Sequence, residues 1–114
     1  MKIIGIDGGA TKVSGGVVEK LNDHTFQLLE PVIEIKYSDQ EKFDSNFSPI
    51  SLSDQLNGVK ISEQESNQGL VYVDCIKKVI ESLADDDLFR VSIAMPGVNM
   101  DNGRGIKTMV NGPR

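Results

Sequence analysis

The sequence has little cysteine, no excess of basic residues and no long hydrophobic run, and each shortage excludes a class of protein. A single cysteine, Cys75, cannot form an internal disulfide framework or a multi-cysteine metal site, which fits a reducing compartment. The net charge of −5 provides no basic face for nucleic acid or an anionic membrane. No apolar run approaches the roughly 20 residues of a membrane span, and no signal peptide is recognisable. We therefore expect a cytoplasmic protein without nucleic-acid or membrane partners.

The remaining composition is that of an ordinary globular domain. The chain has 114 residues, of which 39% are hydrophobic and 25% are charged. This length predicts one small domain over residues 1–114, and no internal repeat divides it. Because a short chain buries a smaller fraction of its unfolded surface than a long one, the core is expected to be thin.

The amino-terminal part predicts a sheet that begins as an antiparallel meander. Lys2 to Asp7 has the β-branched residues of a buried strand. A second strand runs from Lys12 to Glu19, and the short interval from Gly8 to Thr11 predicts a hairpin between the two. A third strand is expected from Phe26 to Ile35. Pro31 lies inside it and lacks a ladder donor, which places that strand at the sheet edge.

A helix is predicted within "YVDCIKKVIESL", residues 72–83. Its charged residues lie on one side at 100° per residue, and we expect Cys75 to be a packed thiol beside the apolar side. Ser62 and Glu65 have the spacing of a capping box that would start the helix earlier. The aspartates at 85–87 oppose the negative end of the helix dipole and should end it. The predicted apolar row consists of Tyr72, Val73, Ile76, Val79, Ile80 and Leu83.

Two further segments complete the predicted architecture. Residues 37–66 are polar and lack a sustained period, so we expect a long loop or insertion there, either a lid or specificity element or a disordered stretch. Leu88 to Met95 reads as a buried strand that Pro96-Gly97 stops, and a short strand from Gly105 to Met109 follows a turn. The strand after the helical crossover should lie parallel to the first. The sequence therefore predicts an α/β fold with a mixed sheet and a helix packed on it.

The stretch "IIGIDGGATKVSGGVV", residues 3–18, carries the candidate chemistry. A glycine turn lets backbone N–H groups approach an anion, while Thr11 offers a hydroxyl and Lys12 a charge. Asp7 would repel that anion unless a divalent cation lay between them, and Mg²⁺ is commonly held by one or two carboxylates and phosphate oxygens. Neither common nucleotide-binding glycine pattern is present: there is no G-x-x-x-x-G-K-[ST], and no G-x-G-x-x-G leads into a helix. The turn is expected to join two strands instead. We therefore expect a phosphate site with magnesium.

Two blocks of the sequence resemble a known family. "GIDGGATKVSGGVVE" resembles the first phosphate loop of the actin, hexokinase and Hsp70 ATPase superfamily, and specifically the D-x-G-G-T-K pattern of the ROK family (repressor, open reading frame, kinase). "VSIAMPGVNMDNGRGIKTMVNGP" is similar to the ROK segment in which a strand ends in Pro-Gly and a later asparagine lies near the sugar. The resemblance implies an RNase H-like, actin-type ATPase fold, of which this chain is an incomplete N-terminal lobe. "DGG" also resembles the group of N-acetylglucosamine kinase and benzoyl-CoA reductase activators.

The resemblance assigns roles to the residues of the first block. Asp7 would position Mg²⁺ through water, and the groups around the ATP phosphates would be Asp7, Gly8, Gly9, Thr11 and Lys12. Two positions depart from the family pattern. Gly8 stands where the family usually has an aliphatic residue, and Ala10 replaces a usual glycine. A methyl group at position 10 would narrow the turn if its φ were positive.

In the second block, the resemblance implies that Gly97 and Asn111 approach the sugar. The family's Pro-Gly-Pro is here Pro96-Gly97-Val98. The family's general base, zinc-binding residues and adenine pocket all lie beyond Arg114 in the family pattern, so no catalytic residue is assigned within this chain.

The function implied is an ATP-dependent sugar kinase that phosphorylates a hexose or an N-acylhexosamine, with ATP and Mg²⁺ as cofactors. Its partners would be the sugar and ATP, the resemblance allows a homodimer of the full-length protein, and these 114 residues alone are expected to be inactive. One alternative is a ROK-type sugar-binding transcriptional regulator, although the phosphate strand starts at Lys2 and leaves no room ahead of it for a helix-turn-helix. Another is a non-catalytic remnant or an ATP-driven activator that binds nucleotide.

Overall fold

The computed structural model describes residues 2–114 and contains a mixed sheet with a long helix packed on one face. The expected α/β class is therefore confirmed. Within the described residues, no helix combines the length and apolar composition needed to cross a membrane. The elements in chain order are β1 (Lys2–Gly8), β2 (Lys12–Asn22), β3 (Thr25–Leu28), β4 (Ile33–Lys36), a 3₁₀ turn (Tyr37–Asp39), α1 (Leu52–Leu56), α2 (Glu63–Leu83), β5 (Phe89–Ala94), β6 (Val98–Asn99) and β7 (Ile106–Thr108).

The strand pairings place the ends of β1 and β5 side by side. The sheet order is β3-β2-β1-β5, and β4 also pairs with β2. β1 and β2 are antiparallel, with Gly8 opposite Val13, whereas β5 runs parallel to β1 with Asp7 opposite Ala94. Both predicted pairings are confirmed. Because parallel neighbours end at the same edge of a sheet, Asp7 lies at the same end as the turn at Pro96-Gly97.

The predicted third strand is wrong in one respect, because it is two strands. β3 pairs with the far end of β2, while β4 pairs with its beginning, from Lys12 to Gly15. Pro31 lies between β3 and β4 and has no N–H to donate to a ladder. The predicted edge position is confirmed, since both strands lie beyond β2 on the side away from β1.

Helix α2 starts where the capping residue Ser62 predicts. The Ser62 hydroxyl accepts a hydrogen bond from the backbone N–H of Glu65 at 3.0 Å. The reciprocal half of a capping box is absent because the Glu65 carboxylate binds Arg114 instead. The helix ends at Leu83, before the run of aspartates, as predicted.

The core lies between α2 and the first strands of the sheet. Cys75 is fully buried there, and burial is the main reason that the pKa of its thiol is raised. Val73 is 51% exposed, so its predicted place in the core is wrong, and Cys75 lies on the buried side of the helix instead. The core side chains are Ile4, Ile6, Val13, Tyr37, Val71, Tyr72, Cys75, Val79 and Leu83.

Strand β5 is exposed, contrary to the prediction of a buried strand. It is the last strand of the sheet, and α2 packs mainly over β1, β2 and β4. β6 and β7 pair with each other as an antiparallel hairpin. An open groove of about 680 Å³ therefore lies between α2, β5 and this β6–β7 hairpin. Apolar side chains such as Leu70, Val73 and Ile93 line this groove.

The polar segment at 37–66 is mostly loop, as expected, but the 3₁₀ turn and α1 give it regular structure that its composition does not suggest. Gln55 of α1 is buried. Its Nε2 donates to the carbonyl oxygens of Ile50 at 2.7 Å and Met109 at 2.8 Å, and its Oε1 accepts from the Met109 N–H at 2.9 Å. The segment is thereby attached to the chain that follows β7.

A buried ion pair fixes the last residue to helix α2. The backbone N–H and the Nε of Arg114 both donate to Glu65 Oε1 at 2.9 Å, and its Nη2 donates to Oε2 at 3.0 Å. The side chains of Arg114 and Glu65 are only 7% and 1% exposed, respectively. Burial alone would raise the pKa of Glu65, but the hydrogen bonds and charge of Arg114 hold it below its ordinary value.

Replacing this carboxylate should destabilise the protein strongly. Glu65→Gln leaves the Arg114 charge buried without its partner, and we expect a loss of about 3 to 5 kcal/mol in the free energy of unfolding. Urea denaturation at neutral pH measures it. Glu63→Gln, in the same helical turn but exposed, is the matched control and should change stability by less than about 0.5 kcal/mol.

The same pair predicts a dependence of stability on pH. Because folding lowers the pKa of Glu65, its contribution is complete above the unfolded-state pKa of about 4.3 and is lost as the pH falls through the folded value. The native protein should therefore lose more stability on acidification than Glu65→Gln does. If both proteins lost the same free energy of unfolding on acidification, the contribution assigned to the Glu65 carboxylate would be contradicted.

Candidate functional site

A cavity of about 380 Å³ opens at the carboxyl ends of β1 and β5. Three separate segments form it: the turn after β1, the end of β5 with its proline, and the loop after β7. The lining residues are Asp7, Gly8, Gly9, Ala10, Ala94, Met95, Pro96, Val110 and Asn111. The fold thus brings the two motif blocks of the sequence to one place, although they are about 90 residues apart in the chain.

Asp7 is exposed and, among the described residues, is the only acidic one that lines this cavity. Within residues 2–114, no three histidine, cysteine, aspartate or glutamate side chains come together as a metal site. Asp7 could therefore hold Mg²⁺ only with water and ligand oxygens completing the coordination, which is the way Mg²⁺ is usually bound beside phosphates.

The turn after β1 is closed without strain. The Gly9 N–H donates to the Lys12 carbonyl oxygen at 2.9 Å. Ala10 does not have a positive φ, so its methyl group does not narrow the turn. The missing side chain at Gly8 has a packing reason, because a Cβ there would lie 1.9 Å from the sulfur of Met95.

Two of the predicted phosphate-binding residues do not line the cavity. Lys12 forms an ion pair with Glu34 of β4. The hydrogen bond that Lys12 donates to the Glu34 carboxylate is the main reason that the pKa of Glu34 is lowered. The Thr11 carbonyl oxygen accepts a hydrogen bond from the backbone N–H of Tyr37 at 3.1 Å. The Lys12 ammonium group is therefore already paired with Glu34 of the edge strand β4, and a phosphate would have to compete with that carboxylate for it.

Gly97 also lies outside the cavity, in the adjoining apolar groove. Its φ is 112°, and a Cβ there would lie 2.2 Å from the Thr108 carbonyl oxygen. Glycine is thus required for the β6–β7 hairpin to fold against this turn. Pro96, one residue earlier, lines the cavity in its place.

Asn111 lines the cavity in a left-handed backbone conformation, with a φ of 59° that asparagine tolerates better than most residues. Both ends of its loop are fixed by side chains from the polar segment and α2. Gln55 binds the backbone of Met109 on one side, and Glu65 binds Arg114 on the other. The position of Asn111 therefore depends on Gln55 and Glu65, neither of which was predicted to contribute to the site.

Two tyrosines lie beneath the turn. The rings of Tyr37 and Tyr72 are stacked, with centroids 3.7 Å apart and planes inclined by 8°. The Tyr37 hydroxyl donates to the Gly9 carbonyl oxygen at 3.0 Å, and the Tyr72 hydroxyl donates to that of Ala10 at 3.1 Å. The helical period predicted only that Tyr72 lies on the apolar side of α2, and no sequence signal links either tyrosine to the turn.

No protein-family model, curated protein or solved structure matches the chain. The assignment of function therefore depends on the geometry of this cavity and on the motif resemblance.

The role of Gly97 can be tested against a second glycine. Gly97→Ala should lower the free energy of unfolding by at least about 2 kcal/mol, because it adds a collision with Thr108 to an unfavourable φ. Gly103 has a φ of 68°, and a Cβ there would meet nothing within 4 Å, so Gly103→Ala should cost only about 1 kcal/mol. Chemical denaturation compares the two, and equal losses would argue against the collision.

Proposed function

We propose that this chain is the phosphate- and sugar-contacting N-terminal lobe of an ATP-dependent sugar kinase with an RNase H-like, actin-type ATPase fold. The observation that carries the proposal is the cavity in which Asp7 and the glycine turn meet Pro96 and Asn111. A motif resemblance in either block alone would be weak. The mixed sheet, with β1 and β2 antiparallel and β5 parallel to β1, is compatible with that fold.

Phosphoryl transfer requires positioning and charge neutralisation more than covalent chemistry by the protein. The Asp7 carboxylate would hold Mg²⁺ through water, and the backbone of the turn would face the transferred phosphate. The Asn111 side-chain amide can both donate to and accept from a sugar hydroxyl. A volume of about 380 Å³ falls within the range of small-molecule sites.

The general base is not among the residues that line this cavity. A sugar hydroxyl must lose its proton during transfer, and Asp7, the only carboxylate among the described residues that line the cavity, is assigned to the cation. The base and the adenine site would come from another part of the full-length protein. We therefore expect residues 1–114 alone to bind nucleotide weakly and to show no sugar-dependent ATP turnover. We also propose a cytoplasmic location, because a single buried thiol fits a reducing compartment.

One observation favours a second candidate, a nucleotide-binding module that does not transfer phosphate. Lys12, the cation expected beside the transferred group, is paired with Glu34 instead. If that pairing persisted with nucleotide bound, the turn would hold phosphate with less charge than transfer requires.

Binding by the chain itself should be local and should depend on magnesium. In an NMR titration with ATP and Mg²⁺, we expect the amide signals of the turn, of Met95 and of Asn111 to shift more than those at the opposite end of the sheet. Asp7→Asn should abolish the magnesium dependence, because it removes the carboxylate that would hold the cation in the cavity. Asp23→Asn, in an exposed turn, is the control. A response centred elsewhere would contradict the proposed site.

Transfer is tested in the full-length protein. With ATP and Mg²⁺ it should phosphorylate one of glucose, mannose, fructose, allose, N-acetylglucosamine or N-acetylmannosamine, followed by coupled ADP release. Asp7→Ala should lower the rate by about 10² or more, and Asp7→Asn nearly as much, because both leave the transferring charge uncompensated. Full activity in Asp7→Ala would refute the role of Asp7. Robust nucleotide binding without turnover on any sugar would favour the second candidate.

A further inference from the structure

We propose that Tyr37 and Tyr72 are positioning residues that make the glycine turn an anion receptor. By holding the carbonyl groups of Gly9 and Ala10 toward the core, they aim the N–H groups that follow toward a bound phosphate. The inference rests on the proposed function in one respect, namely that the anion is a phosphate group accompanied by magnesium.

The orientation follows from peptide geometry. In a trans peptide the C=O and the N–H point in opposite directions, and the peptides of the turn are not cis. The Gly9 carbonyl points toward the Tyr37 hydroxyl, so the N–H of Ala10 points away from the core. The Ala10 carbonyl points toward the Tyr72 hydroxyl, so the N–H of Thr11 also points away from it.

These two N–H groups are available to a ligand. Within residues 2–114, neither the Ala10 N–H nor the Thr11 N–H donates a hydrogen bond to another group of the chain. Ala10 lines the cavity beside Asp7, whereas Thr11, the next residue, is exposed and lies outside the lining. Successive backbone N–H groups on one side of a turn form a concave site for anions. The backbone N–H of Tyr37 also donates to the Thr11 carbonyl oxygen. Three consecutive carbonyl groups of the turn therefore accept hydrogen bonds from Tyr37 or Tyr72.

The tyrosine pair is suited to this task because it cannot easily move or ionise. The rings stack closely, and Tyr37 is only 1% exposed. Burial is the main reason that the pKa of each phenol is raised, so both hydroxyls remain protonated donors across the physiological range. Tyr72 belongs to α2, and Tyr37 belongs to the 3₁₀ segment after β4. Two separate elements therefore hold the glycine turn on its core side.

Removing one hydroxyl should impair anion binding more than it impairs folding. In Tyr72→Phe the ring remains, but the Ala10 carbonyl loses its donor, and the peptide between Ala10 and Thr11 is free to rotate toward water. The N–H of Thr11 would then point at the phosphate for only part of the time. We expect affinity for the anion to fall by about three- to tenfold, the usual net value of one hydrogen bond.

The test is an NMR titration of the whole chain with inorganic pyrophosphate and Mg²⁺, following the amide signals of Ala10 and Thr11. The native chain should bind, Tyr72→Phe should bind about three- to tenfold more weakly, and Tyr37→Phe should show a loss of the same order. Leu83→Ala is the matched control. Leu83 is the buried last residue of α2 and lies beside Lys2 at the start of β1, whereas the glycine turn follows the end of β1. The substitution therefore creates a cavity away from the turn. It should lower the midpoint of thermal unfolding without changing anion affinity.

The outcomes separate this inference from the function on which it rests. No response at Ala10 and Thr11 in the native chain would overturn both. Binding by the native chain with unchanged affinity in the phenylalanine variants would overturn the inference alone. A weakening in Leu83→Ala in proportion to its lost stability would also overturn it, because the tyrosines would then act only through folding. If Tyr72→Phe failed to fold, Tyr37→Phe would decide the question through the neighbouring carbonyl.

Discussion

The parallel pairing of β1 with β5 is the constraint on which the candidate site depends. It places Asp7 opposite Ala94, so that the glycine turn and the proline after β5 leave the sheet at the same end. A parallel pair requires a crossover connection, and α2 provides it while covering the sheet on one face. Without that pairing, the two motif blocks would be distant stretches of chain with no shared cavity.

A second set of interactions determines the shape of the cavity that this strand pairing forms. Tyr37 and Tyr72 hold one wall of the cavity by its carbonyl groups, whereas Gln55 and the ion pair of Arg114 hold the loop of Asn111. All of these interactions involve the polar segment or α2. A segment without its own hydrophobic period therefore still shapes the cavity, because it provides hydrogen bonds to backbone groups of the turn and of the loop that carries Asn111.

Local patterns in the sequence predicted the elements whose formation depends on neighbours in the chain. The β-branched run before Asp7, the capping residue Ser62 and the turn at Pro96-Gly97 all have local causes, and the structure has the predicted elements there. The tyrosine contacts could not be predicted in this way, since they join residues 28 and 62 positions apart. The exposure of β5 was missed because apolar composition does not distinguish a central strand from an edge strand. Lys12 was assigned by residue type, which cannot reveal that Glu34 on a neighbouring strand pairs with it.

The central claim is that the cavity beside Asp7 holds a cation together with phosphate. The most direct measurement replaces Mg²⁺ with paramagnetic Mn²⁺ and records the broadening of amide signals in the presence of ADP. We predict that broadening is strongest for the turn after β1 and for the residues that follow β5, and that it requires the nucleotide. Broadening centred on the exposed aspartates at 85–87, or unaffected by ADP, would contradict it, because the cation would then be bound by surface charge alone.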